Sequence, residues 1–245
     1  MLLVGKCAVI AGGSGQVGFA TAKRLAKLGA KVILLVRRNL AEATEMLKDL
    51  PNPEANHMVF LASITDTESL KSVVSKIDQC DILINAAGIT KSIAPGNFES
   101  YTDEMFDEIM ISNLRGPFAT IREFSPLLKK SKDALVINIT SASGVRASNS
   151  NLAYGASKAG LELLTKSISK VLAPTIRVVA ICPGYLDTAT SGATKSPQFN
   201  DHISKEIPLG RVGTGDDVAA VIESLATTMK YITGSTIVLD GGRLA

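Results

Sequence analysis

Short, largely apolar runs alternate along this chain with longer stretches of helical periodicity. That alternation limits its fold more than any other feature. The run "CAVIA" at 7–11 is apolar at every position and ends in a glycine cluster. A strand with one wet face alternates apolar and polar residues. A strand apolar throughout is buried on both faces, as in a parallel sheet covered by helices. Residues 16–28 follow, with Val17, Ala22, Leu25 and Leu28 at helical spacing and Gly29 as a stop. The cycle then repeats. "KVILLV" (31–36), "HMVFLA" (57–62), "DILINAAG" (81–88), "ALVINIT" (134–140), "IRVVAIC" (176–182) and "STIVLDGG" (235–242) complete seven candidate strands. Helices are expected over 40–50, 66–77, 102–130 with a break near Gly116-Pro117, 152–172 and 216–229. This pattern predicts an α/β fold, a single-domain doubly wound seven-stranded parallel sheet with helices on both faces.

Composition narrows the function classes. With 245 residues, 46 % hydrophobic and 20 % charged, the chain can bury one large core. A net charge of +3 is spread along the sequence, and the aromatic content is 4 % with no Trp. Neither a basic stripe nor stacking platforms for nucleic acid are present, and no nucleic-acid partner is expected. No apolar run reaches the ~18 residues of a membrane span. Cys7, Cys80 and Cys182 are far apart and odd in number, which suits buried free thiols in a reducing cytoplasm. His57 and His202 have no partners at metal-ligand spacing, so no metal site is expected. The opening "MLLVGKCAVIAGG" is broken by Gly5 and Lys6, and reads as a first strand rather than a signal segment. The longest irregular stretch, Tyr185 to about Pro208, is expected to be a lid or binding loop.

The segment "AGGSGQVG" (11–18) sits between the first strand and the first helix, the context a dinucleotide-binding loop requires. Gly12 permits the sharp turn, Gly15 lets backbone approach a pyrophosphate, and Gly18 lets the helix pack on the sheet. Ser14, Gln16 and Val17 belong to the same loop and helix start, where free N–H groups meet phosphate oxygens. An NAD site usually carries an acidic residue at the end of the second strand. Here that strand ends Val36-Arg37-Arg38. Guanidinium forks suit a phosphate dianion, so NADP(H) is the expected cofactor, with Arg37 on its 2′-phosphate and Arg38 beside it.

"NLAYGASKAG" (151–160) places Tyr154 four residues before Lys158 with only small residues between. On a helix the phenol and the ammonium share one face. The motifs fall in this order: the glycine loop (12–18), "NAAG" (85–88), "SNLRG" (112–116), "NITSASG" (138–144), "YGASK" (154–158), "PGYLDT" (183–188) and "VLDGG" (238–242). In that order, over nearly the whole length, the chain resembles the short-chain dehydrogenase/reductase family, in its 3-oxoacyl-carrier-protein reductase-like branch, and the resemblance implies a Rossmann-like fold. It implies a cofactor half at roughly 1–140 and a catalytic and substrate half at roughly 141–245. It implies that Tyr154 is the acid/base, that Ser141 hydrogen-bonds the substrate oxygen, and that Asn113 helps hold a water. Lys158 would hold the nicotinamide ribose and, with the oxidised cofactor, lower the phenol pKa by roughly 1–3 units. Asn85, Ala86, Ala87 and Gly88, then Pro183, Gly184, Leu186 and Thr188, would border the cofactor. Ser63 and Ile64 would lie near adenine, where Ser63 replaces the family's aspartate. Ala11 and Gln16 also depart from the common loop; backbone phosphate cradling is expected to survive, with the contact altered at Gln16 and the grip weakened at Ser63. Helix 152–172, with Leu161, Leu164, Ile168 and Val171 on one stripe, packs against its own copy in family dimers and tetramers.

The implied activity is an NADP(H)-dependent oxidoreductase interconverting a secondary alcohol and a carbonyl on a small molecule. Two alternatives stay open. One is a 3-oxoacyl-carrier-protein reductase, for which Lys129, Lys130 and Lys132 would suit an acidic carrier. The other is a non-catalytic NADP(H)-binding sensor.

Overall fold

The structure is a computed structural model. It describes residues 2–91, 93, 97–146, 151–187 and 197–245, the last segment with side chains from Asn200 onward. Its first half runs β1 (Cys7–Ala11), α1 (Gln16–Lys27), β2 (Lys31–Val36), α2 (Leu40–Met46), β3 (Met58–Leu61), α3 (Thr67–Val74) and β4 (Ile82–Asn85). Then come α4 (Asp103–Met110), α5 (Gly116–Leu128), β5 (Ala134–Ile139), α6 (Leu152–Leu172), β6 (Ile176–Pro183), α7 (Pro197–Ser204), α8 (Gly215–Thr227) and β7 (Thr236–Leu239). The seven strands form one parallel sheet in the order β3-β2-β1-β4-β5-β6-β7, as the apolar runs predict.

Successive residues of a strand face opposite sides, and β1 shows the consequence. Ala8 and Ile10 enter one core with Leu25 of α1 and with Val218 and Ile222 of α8. Cys7, Val9 and Ala11 enter the other with Leu70 of α3 and Phe124 of α5. Cys7, Cys80 and Cys182 are buried free thiols, as expected. Helix starts are fixed by short polar side chains that accept from free backbone N–H groups. Asp66 caps α3, Thr102 caps α4, and Thr214 with Asp217 forms a capping box on α8. Asn151 caps α6 by accepting from the backbone N–H of Tyr154 at 3.2 Å.

Strand order reverses beside β1, which pairs with β2 on one side and β4 on the other. A crevice opens outside the carboxyl ends of strands at such a point. The glycine loop follows β1 there and "NAAG" closes β4.

Four sequence expectations change. The helix over 102–130 does not break at Gly116-Pro117. It passes through a π-helical turn at Ile111–Arg115 and continues as α5. Pro117 stands at the start of α5, where its missing N–H is tolerated. The stretch from Tyr185 to Pro208 contains α7, although 188–196 lie outside the described residues. The stripe on α6 ends before Val171, which is 78 % exposed. Thr165 and Ser169 line the buried face instead. The helix predicted over 40–50 also tightens after Met46 into a single 3₁₀ turn.

Candidate active site

The glycine loop is shaped by backbone packed on backbone. A Cβ on Gly18 would lie 2.2 Å from the carbonyl oxygen of Gly12, and one on Gly12 would lie 2.7 Å from the Ala87 nitrogen. Neither contact can be relieved by turning a side chain. Gly12 has a φ of +79°, in the left-handed region that favours glycine. Gly15 has extended backbone and immediately precedes α1. Ser14, Gly15 and Gln16 are exposed and Val17 is half-buried. Arg37 and Arg38 are exposed at the end of β2, and neither makes a hydrogen bond or ion pair among the described residues. Ser63 shares a 2.9 Å hydrogen bond with the Thr65 hydroxyl. Buried Ile64 packs on Gly116. These residues line one edge, and their bare backbone, free cations and steric gaps fit a phosphate-bearing dinucleotide.

Asn85 is turned away from that edge. Its Nδ2 donates to Asn138 Oδ1 at 2.9 Å, and Asn138 Nδ2 donates to Thr165 Oγ1 at 2.9 Å. The amides tie β4 to β5 and to α6, while the Asn85 Oδ1 is buried without a partner. Ala87 and Gly88 join the glycine loop to a second cluster. A Cβ on Gly88 would lie 3.2 Å from Asn113 Oδ1 and 3.5 Å from Lys158 Nζ.

That cluster is assembled by packing that only small residues allow. Ser141 opens a 3₁₀ turn, Ala142–Gly144, and accepts from the Ser143 N–H at 3.2 Å. A Cβ on Gly144 would lie 2.7 Å from the Ala159 nitrogen, and one on Gly155 would lie 2.8 Å from the Ser143 carbonyl oxygen. The turn and α6 therefore touch through bare backbone, which brings the Ser141 hydroxyl beside the Tyr154 phenol. Lys158 is 5 % exposed, and its Nζ donates to the Ile139 carbonyl oxygen at 2.7 Å. Asn113 accepts from the Ile89 N–H at 2.8 Å, donates to the Ile89 carbonyl at 2.8 Å, and donates to Ser157 Oγ at 3.1 Å. Its side-chain amide is fully engaged. Pro117, four residues on, has no N–H to satisfy the Asn113 backbone carbonyl.

The electrostatics correct one expectation. Lys158 does not acidify Tyr154 in this arrangement. Its Nζ lies 5.7 Å from the centroid of the tyrosine ring and bonds to β5 rather than to the phenol. Burial pushes the Tyr154 phenol above its ordinary value, and the Ser141 hydroxyl opposes that rise. The Tyr154 phenol is therefore protonated at neutral pH. Burial brings Lys158 down to about 8. Burial likewise pushes Cys182, behind the pair, up to about 12.

The remaining predicted residues follow β6. Pro183 closes the strand, Gly184 packs against Asp240, and Leu186 pairs with Gly213 in an isolated bridge. Thr188 lies outside the described residues. Sequence reasoning missed Ser157, the Ile139 carbonyl, and the packing of Gly144 and Gly155. Only the small residues inside "SASG" and "YGASK" hinted at that last contact.

A family profile described as Enoyl-(Acyl carrier protein) reductase matches residues 12–243. The 3-oxoacyl-[acyl-carrier-protein] reductase of Rickettsia bellii is 34 % identical over 245 residues, covering 99 % of this chain and 98 % of the relative. Its counterpart from Thermotoga maritima is 32 % identical over 250 residues, covering 99 % of each. Among solved structures, a Pseudomonas aeruginosa RhlG/NADP active-site complex is 31 % identical with a TM-score of 0.88, covering 99 % of this chain and 98 % of that one. Fold and site together define a dinucleotide-binding α/β oxidoreductase. Within that class, the sequence likeness over its full length makes the chain a member of the short-chain dehydrogenase/reductase family.

Proposed function

We propose that the protein is an NADP(H)-dependent oxidoreductase that interconverts a secondary alcohol and a carbonyl on a small-molecule substrate. One observation carries this reading. The glycine cradle meets the Ser141–Tyr154–Lys158 cluster through Ala87 and Gly88 at a single crevice. The relative named as an NADP complex supports the cofactor, as do the free guanidiniums of Arg37 and Arg38.

Each residue then has a task. Gly12, Gly15 and Gly18 bring backbone N–H groups to the diphosphate, and Arg37 takes the 2′-phosphate. When bound there, NADPH supplies a hydride to the carbonyl carbon. Ser141 holds the substrate oxygen, and Tyr154, protonated at neutral pH, hands its proton to that oxygen. Lys158 sits behind the ring, anchored on the Ile139 carbonyl, and presents its ammonium to the crevice, where it would hold the nicotinamide ribose. Asn113 locks Ile89 with its amide and holds a water at its backbone carbonyl, which resupplies the proton. The cofactor half spans roughly 1–140 and the catalytic half roughly 141–245.

A second, narrower reading is a 3-oxoacyl-carrier-protein reductase, favoured by the names of the relatives at 34 % and 32 % identity. The intact Asn113, Ser141, Tyr154 and Lys158 weigh against a non-catalytic sensor. We place the protein in the cytoplasm. Among the described residues no helix is long and apolar enough to cross a membrane. We also propose a homodimer or homotetramer. Ile111 and Phe118 at the α4–α5 junction and Leu163 on α6 leave an apolar groove open to solvent that a second copy would cover.

The test is a panel of ketones with the purified protein and NADPH, including one 3-oxoacyl thioester, read as loss of NADPH absorbance. Reduction of at least one free ketone is the expected result. Reduction of the thioester alone would favour the narrower reading, and no oxidation with any member would overturn both.

A further inference from the structure

The rim of the crevice holds cations that nothing in the mechanism uses. Arg146 lies two residues past the turn whose Ser141 lies beside Tyr154. Its side chain is exposed and makes no hydrogen bond or ion pair among the described residues. Arg243, past the end of β7, shares with Arg146 the neighbourhood of Glu206. Its guanidinium stacks 4.7 Å from the ring centroid of Tyr185, two residues after β6 closes at Pro183. Its Nη2 donates to Glu206 at 2.7 Å, and its buried Nε has no partner among the described residues.

Other arginines of this chain show what a filled fork looks like. Arg24 grips Asp216 through Nε and Nη2, both at 2.7 Å, and gives Nη1 to Glu223 at 2.8 Å. Arg211 grips Asp217 with two bonds of 2.8 Å. A guanidinium offers five N–H donors in a planar fork matched to a carboxylate or phosphate. Arg243 spends one of them on Glu206, and Arg146 spends none. Glu206 is 45 % exposed and sits among Arg243, Arg146 and His202, the last at 3.8 Å. One carboxylate thus answers two arginines, and Arg146 has no ion pair of its own among the described residues.

We infer that Arg146 and Arg243 form an oxyanion site at the substrate rim, so that the favoured substrate carries a carboxylate or a phosphate beyond its reacting carbonyl. This rests on the carbonyl-reducing reading above. Glu206 is the internal counter-ion that such a group displaces, and the Tyr185 ring holds Arg243 in place for it.

The test compares substrates that differ by one anionic group. The first pair is 7-oxooctanoate and its methyl ester. The second is acetoacetyl-4′-phosphopantetheine and acetoacetyl-pantetheine. The readout is the ratio of kcat/KM, charged over neutral, with NADPH. In the wild type the ratio exceeds one for at least one pair, and which pair says whether carboxylate or phosphate is the natural group. In R146Q and R243Q that ratio falls at least about tenfold, the loss expected for one charge-assisted contact. In E206Q it rises about threefold, a change of opposite sign that misfolding does not produce. Ratios near one in the wild type, or unmoved in all three variants, overturn the inference while leaving the reductase reading intact. No reduction of any member overturns that reading and this inference with it.

Discussion

The two ends of the crevice are built from different materials. At the cofactor end the shape comes from main chain against main chain: Gly18 on Gly12, Gly12 on Ala87. At the substrate end it comes from side-chain charge: Arg243 on Glu206 and Tyr185, with Arg146 in the neighbourhood of Glu206. The first kind of surface tolerates almost no substitution and serves a ligand of fixed shape. The second can be rewritten residue by residue, which is where members of one fold family acquire different substrates.

The contrast can be broken most forcefully at Gly18. A Gly18→Ala methyl must displace the Gly12 carbonyl it would otherwise meet at 2.2 Å. The expected result is a loss of about 3 kcal/mol in urea unfolding and at least about tenfold weaker NADPH binding by fluorescence titration. A variant with wild-type stability and affinity would show that the loop relaxes freely and that the two ends do not differ in kind. Arg37→Asp removes a phosphate fork and introduces a like charge beside the 2′-phosphate. The NADPH-over-NADH ratio of kcat/KM is expected to fall by about 30-fold, with stability unchanged. An unmoved ratio would take Arg37 out of the cofactor site.

Lys158 offers a pH-dependent effect at the junction between the ends. Burial lowers its pKa from 10.5 to about 8, so between those values the unfolded chain binds the proton that the folded chain has released. Stability from this group therefore rises with pH across that window, by up to about 3 kcal/mol, and is lost as pH falls through about 8. Lys158→Met lacks the term. Urea unfolding from pH 8 to 10.5 should show the wild type gaining on the variant, and parallel curves would mean that the ammonium is hydrated.

Much of this was legible in the sequence, for physical reasons that also mark where legibility stops. Buried parallel strands are apolar along most of their length, so β1, β2 and β5 stand out. Glycine sterics are local, so the phosphate loop could be placed from eight residues. Tyr154 and Lys158 share a helix face by period alone. Pro117 misleads because proline usually ends a helix, whereas a π turn ahead of it absorbs the missing donor. Helix α7, "PQFNDHIS", carries too few apolar residues to show a period. The acceptor for Lys158 is a main-chain carbonyl of β5, nineteen residues away. No side-chain pattern reports it, and for that reason the expected acidification of the phenol could not be checked before the geometry was known. The pairing of Arg243 with Glu206 spans 37 positions and has no local signature at all.

The central claim is that the Tyr154 hydroxyl delivers the proton in a crevice whose cofactor end is independent of it. Tyr154→Phe tests it directly, with NADPH affinity and carbonyl reduction measured on the same preparation. The account predicts a Kd for NADPH within about threefold of the wild type and a kcat lower by about 10³-fold, within the range for removing a general acid. Turnover equal to the wild type at equal cofactor affinity would contradict it.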